Sequence, residues 1–290
     1  MPKRLKATGH EKGLQQTPVR IEIRDSSGEL IATRYGPSRY GVNRYVWHMN
    51  YDRPTTTDFV KWPLEGKPPA WAQLTTPEVL PGTYSVSVTA DGHTETATAR
   101  VSADPNQPPA LAAQRQSLKL ALEARGQVDA LNRMLNRLSA MQSQLATYGK
   151  TVETEASGID PAQRAFAKSQ APLLVRGEAL GKELGKLKEA VYNPEVQHKV
   201  VEDNLHQLTD LHDALELNAS QLASLGVQAP TAPLIAIERE LTGDLDAKLA
   251  AYNALLSGDV AAYDRAAYAA GAPTLAAGKP ITVAAPPPIH

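Results

Sequence analysis

Residues 81–109 read PGTYSVSVTADGHTETATARVSADPNQPP, and this stretch divides the chain into two kinds of structure. Tyr84, Val86 and Val88 alternate with serines, the period-two pattern of a strand with one buried face. Asp91-Gly92 is a favoured hairpin turn dipeptide. The return strand places Ala97, Ala99 and Val101 on one side and Thr96, Thr98 and Arg100 on the other. Asp104-Pro105-Asn106-Gln107-Pro108-Pro109 then ends the sheet, because prolines cannot donate to a ladder and they stiffen a linker. Beyond it the apolar period becomes helical.

Upstream the period of two continues. Val19, Ile21 and Ile23 alternate with arginine and glutamate, Asp25-Ser26-Ser27-Gly28 is a turn, and Leu30 and Ala32 resume the alternation. Arg44-Tyr45-Val46-Trp47-His48 is rich in aromatic and β-branched residues and is predicted to be a further strand. The proline-dotted run from about Tyr51 to Pro81 is predicted to be an ordered insertion. Several short strands separated by turn signals indicate a β-sandwich, with Trp47 filling its core.

Downstream, Ala121, Ala124, Val128, Leu131, Leu135, Leu138, Gln142 and Leu145 step by threes and fours along a first helix from about Ala110 to Tyr148. Met134 and Met141 widen that stripe. Asp160 and Pro161 supply the cap and first-turn proline of a second helix, with Gln163 in the capping-box position. Pro172 is predicted to kink or break it, after which Leu173, Leu180, Leu184, Leu187 and Val191 resume the stripe. Asn193-Pro194 opens a predicted third long helix with Val201, Leu205, Leu208, Leu211, Leu215 and Leu222, stopped at Gly226. Thr231 opens a fourth carrying Ile237, Leu241, Leu245, Leu249, Tyr252 and Leu256. Gly258-Asp259 is predicted to separate it from a short fifth containing Val260, Tyr263 and Ala267.

The predicted fold is therefore an Ig-like antiparallel β-sandwich followed by an antiparallel up-down helical bundle with coiled-coil-like seams. Its organisation is a basic flexible segment 1–16, a sandwich 17–103 with the insertion at about 51–81, and a linker 104–109. The bundle follows at 110–270, then an alanine- and proline-rich tail 271–290, extended or disordered.

Composition removes several function classes. The 290 residues carry a formal net charge of −1, which gives no long-range field toward nucleic acid or an anionic membrane. There is no cysteine, so disulfides, thiolate nucleophiles and cysteine-ligated zinc are excluded. No run approaches the ~18 apolar residues of a membrane span. The basic Met1–Lys6 leads into polar Ala7–Lys12, so the start does not read as a signal peptide. The chain is either cytoplasmic or the C-terminal piece of something longer.

Candidate chemistry is sparse. His198, Glu202 and His206 recur every four residues, with Asp210 extending the row, and could supply part of a metal site or simply a solvated helix face. No HExxH motif accompanies them, and no metal or cofactor is expected. Gly177, Gly181 and Gly185 form a small-residue row that either admits a neighbouring helix or lies on the surface. Ser85 and Ser87 lack the glycines of a nucleophile elbow, and Asp210 and Asp213 are expected to face different directions. Neither Gly-rich phosphate motif is present, and basic residues do not cluster with stacking aromatics. Trp62 and Trp71 either fasten the insertion or offer a sugar-stacking contact.

Three segments, Asp25–Ile31, Gly41–Trp47 (GVNRYVW) and Leu80–Val86 (LPGTYSV), resemble the Ig-like domain of the flagellar hook-capping type. Such domains recur at the C-terminus of bacterial sortilin-like proteins built from neuraminidase-type repeats, often labelled glycosyl hydrolases. In those proteins a helical segment follows, and Asn204-Leu205, Leu225-Gly226, Ala229-Pro230-Thr231, Tyr252-Asn253 and Gly258-Asp259-Val260 are similar to its close. The β-propeller of that family, with its Ser-x-Asp-x-Gly-x-Thr boxes, has no counterpart here, so no catalytic residue carries over. The resemblance implies a non-catalytic accessory module, a protein or propeller partner, self-association through the bundle, and an extracytoplasmic or periplasmic location. Two alternatives stand beside it: a fragment of a sialidase-like glycoside hydrolase, and a glycan-binding module acting through Trp62 or Trp71.

Overall fold

The computed structural model describes residues 19–39, 41–59, 74–106, 110–193 and 210–289. Contacts divide the chain into two compact units. One comprises Met1–Asp52, Glu78–Ala110 and Pro287–His290, the other Arg53–Pro77 and Leu111–Pro286. Most of the expected insertion thus belongs to the helical unit.

The first unit is built on one four-stranded antiparallel sheet. Its strands are β1 (Val19–Arg24), β2 (Leu30–Gly36), β3 (Gly82–Ala90) and β4 (His93–Val101), in the spatial order β2-β1-β3-β4. The alternation seen in the sequence sets the faces. Ile23 sits opposite Ala32 on one side and Val86 on the other, and Ile21, Ile23, Ala32 and Tyr84 are buried. Asp91 and Gly92 both have positive φ, 48° and 80°, the geometry of a tight two-residue hairpin turn that matches strand twist.

A second sheet is not formed among the described residues. Arg44–His48, expected as a strand, has irregular backbone. Local bonding competes with strand formation here: Asn43 donates to the Arg39 carbonyl (2.7 Å) and accepts from the Arg39 N–H (3.2 Å). Met49, at φ 56°, then turns the chain into a single antiparallel bridge between Asn50 and Glu78. Trp47 is consequently half-buried, packing edge-on to Tyr84 at 5.6 Å and donating from Nε1 to the Asn50 carbonyl.

In the second unit the stripes become real faces. Helix α1 (Leu111–Ala156) packs against α2 (Pro161–Glu189), α3 (Leu211–Ala223) and α4 (Ala232–Leu255). The α1 positions from Ala121 to Leu138 named above are all buried. Asp160 caps α2 by accepting from the Ala162 N–H at 2.8 Å.

Four expectations fail in instructive ways. Pro172 does not break α2, which runs on through it; its ring is on the exposed face, where water can take the carbonyl that loses its helical partner. The third helix is not continuous through residue 210: Asp210 is an extended N-cap (φ −78°, ψ 167°) and α3 begins after it. Gly258 does not break the fourth helix, because a π-turn, Leu256–Val260, carries it into α5 (Ala261–Ala269). Ile237 is 46% exposed while its neighbour Glu238 is 4% exposed.

Of the glycine row, Gly177 and Gly185 take the close-approach reading, while a Cβ on Gly181 would make only ordinary contact, with Leu145 at 3.8 Å. A Cβ on Gly177 would meet Leu145 at 3.3 Å and Tyr263 at 3.4 Å, and one on Gly185 would meet Gln142 at 3.2 Å. The tail is extended but anchored. Asn253 brackets Ile281, donating to its carbonyl (2.8 Å) and accepting from its N–H (2.9 Å), and Ile281 is buried. No helix among the described residues is long and apolar enough to cross a membrane.

Candidate functional site

A concentration of polar side chains lies in the helical unit, where the middle of α1, the end of α2, the start of α3 and residues 53–59 meet. Asp210 organises the start of α3. One of its carboxylate oxygens accepts from the Asp213 N–H at 2.8 Å, and the other accepts from the Asn193 N–H. In the same first turn, His212 is 3% exposed. Its Nδ1 lies 3.5 Å from Asp213 Oδ1 and its Nε2 lies 3.4 Å from Glu216 Oε1. Tyr192 covers the imidazole edge-on at 5.5 Å and in turn packs against Phe59 at 5.2 Å.

Burial governs the electrostatics. It raises the Asp210 and Glu216 carboxyls above their ordinary values despite bonds and a histidine charge that pull the other way. The Tyr192 phenol is pushed up to about 12, by burial first and then by the neighbouring carboxylates. Burial opposes charge on His212, but the Asp213 bond and the charges of Glu216, Asp213 and Asp210 outweigh it and raise its pKa. All three shifts among Asp210, His212 and Glu216 make the folded chain hold protons more tightly than the unfolded chain.

Residues 53–59 are held on α1 as a strap. Asp129 accepts from the Thr55 N–H (2.9 Å) and hydroxyl (2.7 Å). Asn132 donates to the Thr55 carbonyl at 2.8 Å, and Asn136 both donates to Thr56 and accepts from the Asp58 N–H. Lys188 reaches the strap from α2, with its ammonium 4.0 Å over the Phe59 ring and 2.7 Å from Ser139 Oγ. Burial lowers the Lys188 pKa, against the charge of Asp58.

A lysine beside a serine invites a nucleophilic reading. Ser139, however, sits in the middle of α1, where the surrounding backbone N–H groups are held in the helical ladder and cannot form an oxyanion hole. Asp210, His212 and Asp213 bring ligand atoms within 4.8 Å of one another. Both Asp210 oxygens already serve backbone N–H groups, one as the cap of α3 and the other on Asn193. The arrangement can share protons among an imidazole and its carboxylates, and it can fasten the strap and the start of α3.

Asp210 and Asp213, expected to diverge, are thus joined by the cap. The missed residues are His212, Glu216 and Lys188. The i, i+4 spacing of His212 and Glu216 was the available signal. Nothing local to Lys188 announces Phe59, which lies far away in the sequence. His198, Glu202, His206, Trp62 and Trp71 lie outside the described residues.

Asp129→Ala should release the strap. Removing a half-buried acceptor of two bonds is expected to cost about 1–3 kcal/mol, read as a lower urea midpoint and faster proteolysis at 53–59. Burial would raise the Asp129 pKa, but the Thr55 bonds and the Arg133 and Arg125 charges outweigh it and lower it. The contribution is therefore present above the unfolded pKa and is lost as pH falls through the folded one.

Compared with known proteins, the chain matches no family model, no curated protein and no solved structure at a significant level.

Proposed function

We propose that this chain is a non-catalytic interaction module, an Ig-like sandwich of the hook-capping type joined to an up-down helical bundle. In this reading it is an accessory to an exported β-propeller protein. The observation that carries the proposal is the outer hairpin: β4 runs for nine residues with none buried. A strand exposed on both faces adds little to a core and is best explained as a surface for another chain.

Two further features support the reading. Tyr84 donates to the Leu80 carbonyl at 2.6 Å, similar to the tyrosine corner of immunoglobulin-type sandwiches. In the helical unit, Asp210 is engaged in capping α3, and Asp129 and Lys188 in holding the strap. The test combines photo-cross-linking from an unnatural residue at Thr98, in the native host, with assays on fluorogenic glycosides and esters. Specific adducts at position 98 and no turnover are expected. Turnover lost in Glu216→Gln would overturn the non-catalytic reading, and a cross-link-silent β4 would overturn the interaction reading.

A further inference from the structure

The two edges of the sheet are treated differently. On β2 the outward backbone is already occupied: the Thr33 N–H donates to Asp52 Oδ2 at 2.9 Å and the Ile31 carbonyl accepts from the Asp52 N–H at 3.2 Å. A register shift after Ile23 adds a bulge beside the same edge, a further device against edge pairing. β4 has neither. It pairs with β3 residue for residue from His93 to Val101 with no shift, and it contains no proline and no lysine.

The hairpin fixes which β4 groups are free. A two-residue turn is closed by a doubly hydrogen-bonded pair, here Ala90 and His93. Counting by twos, the odd-numbered residues of β4 bond to β3. The backbone N–H and C=O groups of Thr94, Thr96, Thr98 and Arg100 therefore point away from the sheet. Among the described residues no backbone partner meets them.

We propose that β4 is a homodimerisation edge: a second copy of this chain adds its own β4 antiparallel, about a two-fold axis at Ala97. This names the partner for the interaction reading above and rests on it. The occupant is argued from self-complementarity. In an antiparallel ladder about a two-fold axis normal to the sheet, opposed residues share a face, so their numbers sum to a constant even value.

Centring on Ala97 pairs the whole of β4 with itself. Thr96 then faces Thr98, Thr94 faces Arg100, and Glu95 faces Ala99, so no like charges meet. Centring on Glu95 or Arg100 would oppose two carboxylates or two guanidiniums and shorten the overlap. The smallest side chain of the strand's centre falls on the axis, in a non-hydrogen-bonded pair where side chains come closest. On the opposite face the hydroxyl ladder already present, Ser87 with Thr96 and Thr89 with Thr94 at 2.8 Å each, continues across the axis through threonine–threonine pairs.

The chain lacks cysteine, so Ala97→Cys introduces a single thiol. Its Cα atoms would lie ~4.5 Å apart across the axis, within disulfide range. Light scattering on the wild-type full chain is expected to give a dimer at about 100 µM that dissociates on dilution. Mild oxidation of Ala97→Cys should give a covalent dimer, and Glu95→Cys should not. Thr98→Pro removes only an outward N–H and should yield a folded monomer; if it fails to fold, Thr98→Lys serves the same end. A wild-type monomer at that concentration overturns the proposal. So does a dimer that survives Thr98→Pro while Ala97→Cys stays uncross-linked, which would place self-association elsewhere. A monomer cross-linked at position 98 to a different protein would also overturn it, yet leave the interaction reading standing.

Discussion

Leu138→Ala should lower the unfolding free energy by about 3–4 kcal/mol, with the urea m-value unchanged. Leu138 has no exposed surface and belongs to the apolar cluster that joins α1, α2, α3, α4 and α5. Truncation removes the transfer free energy of the lost methyl groups and adds the cost of a cavity, together ~2–5 kcal/mol for buried leucine. The upper half of that range applies because α1 packs against three helices at once, so the walls cannot collapse inward without disturbing several contacts. Ile159, 94% exposed between α1 and α2, is the matched control. Ile159→Ala should stay within ~0.5 kcal/mol of wild type. Far-UV dichroism in urea measures both, and a loss below about 1 kcal/mol at Leu138 would mean that its surroundings are loosely packed.

That contrast shows what was legible in the sequence. The α1 stripe was legible because its burial is a local matter of period: each apolar residue falls on one face whatever lies opposite. The hairpin 82–101 was legible for the same reason, since turn chemistry and alternation are contained within it. Arg44–His48 was misread because strand formation needs a partner. Its β-forming residues carry a weak preference that the Asn43 loop and the left-handed Met49 override. The strap was invisible in type as well as in place. Thr55 and Asn132 are ordinary polar residues, and only the fold makes them bond at 2.8 Å across 77 positions.

Asp210 failed differently. It was placed on a continuing helix by spacing alone, although Asp210-x-x-Asp213 also reads as a helix start. A residue able to cap competes with propagation, and here the cap prevailed. The candidate site inherits this limit. His212 and Glu216 share a face by spacing, but the burial that raises the Glu216 carboxyl and the carboxylate neighbours that outweigh burial at His212 come from the fold.

Glu238 is the case where periodicity and residue chemistry disagree, and it carries the second large effect. Seven residues back from buried Leu245 lands on Glu238, whereas apolar character favours Ile237. The fold follows the period: Glu238 is 4% exposed, Ile237 46%. The carboxylate is met by Gln127 Nε2 of α1 at 2.7 Å and by Asn218 Nδ2 of α3. Gln127 also donates to Thr242 at 2.9 Å, and Thr242 donates to the Glu238 carbonyl. The carboxamide oxygens of Gln127 and Asn218 are buried without hydrogen-bond partners among the described residues.

Burial raises the Glu238 pKa from 4.5 to about 7, opposed by the two carboxamide bonds and reinforced by the charge of Glu123. Folded protein thus holds this proton more tightly than unfolded protein. Its contribution is fully present below the unfolded pKa and is lost as pH rises through the folded one. Between pH 5 and 8 the wild type should lose up to ~3 kcal/mol from this group alone. Glu238→Gln keeps the shape and has no proton to lose, so it should match the wild type near pH 5 and exceed it near pH 8. The Asp210–His212–Glu216 cluster slopes the same way in both proteins and cancels in the difference. Urea titrations at five pH values measure that difference. Parallel stability curves for the two proteins would show that Glu238 is charged throughout, with its partners or water compensating the burial.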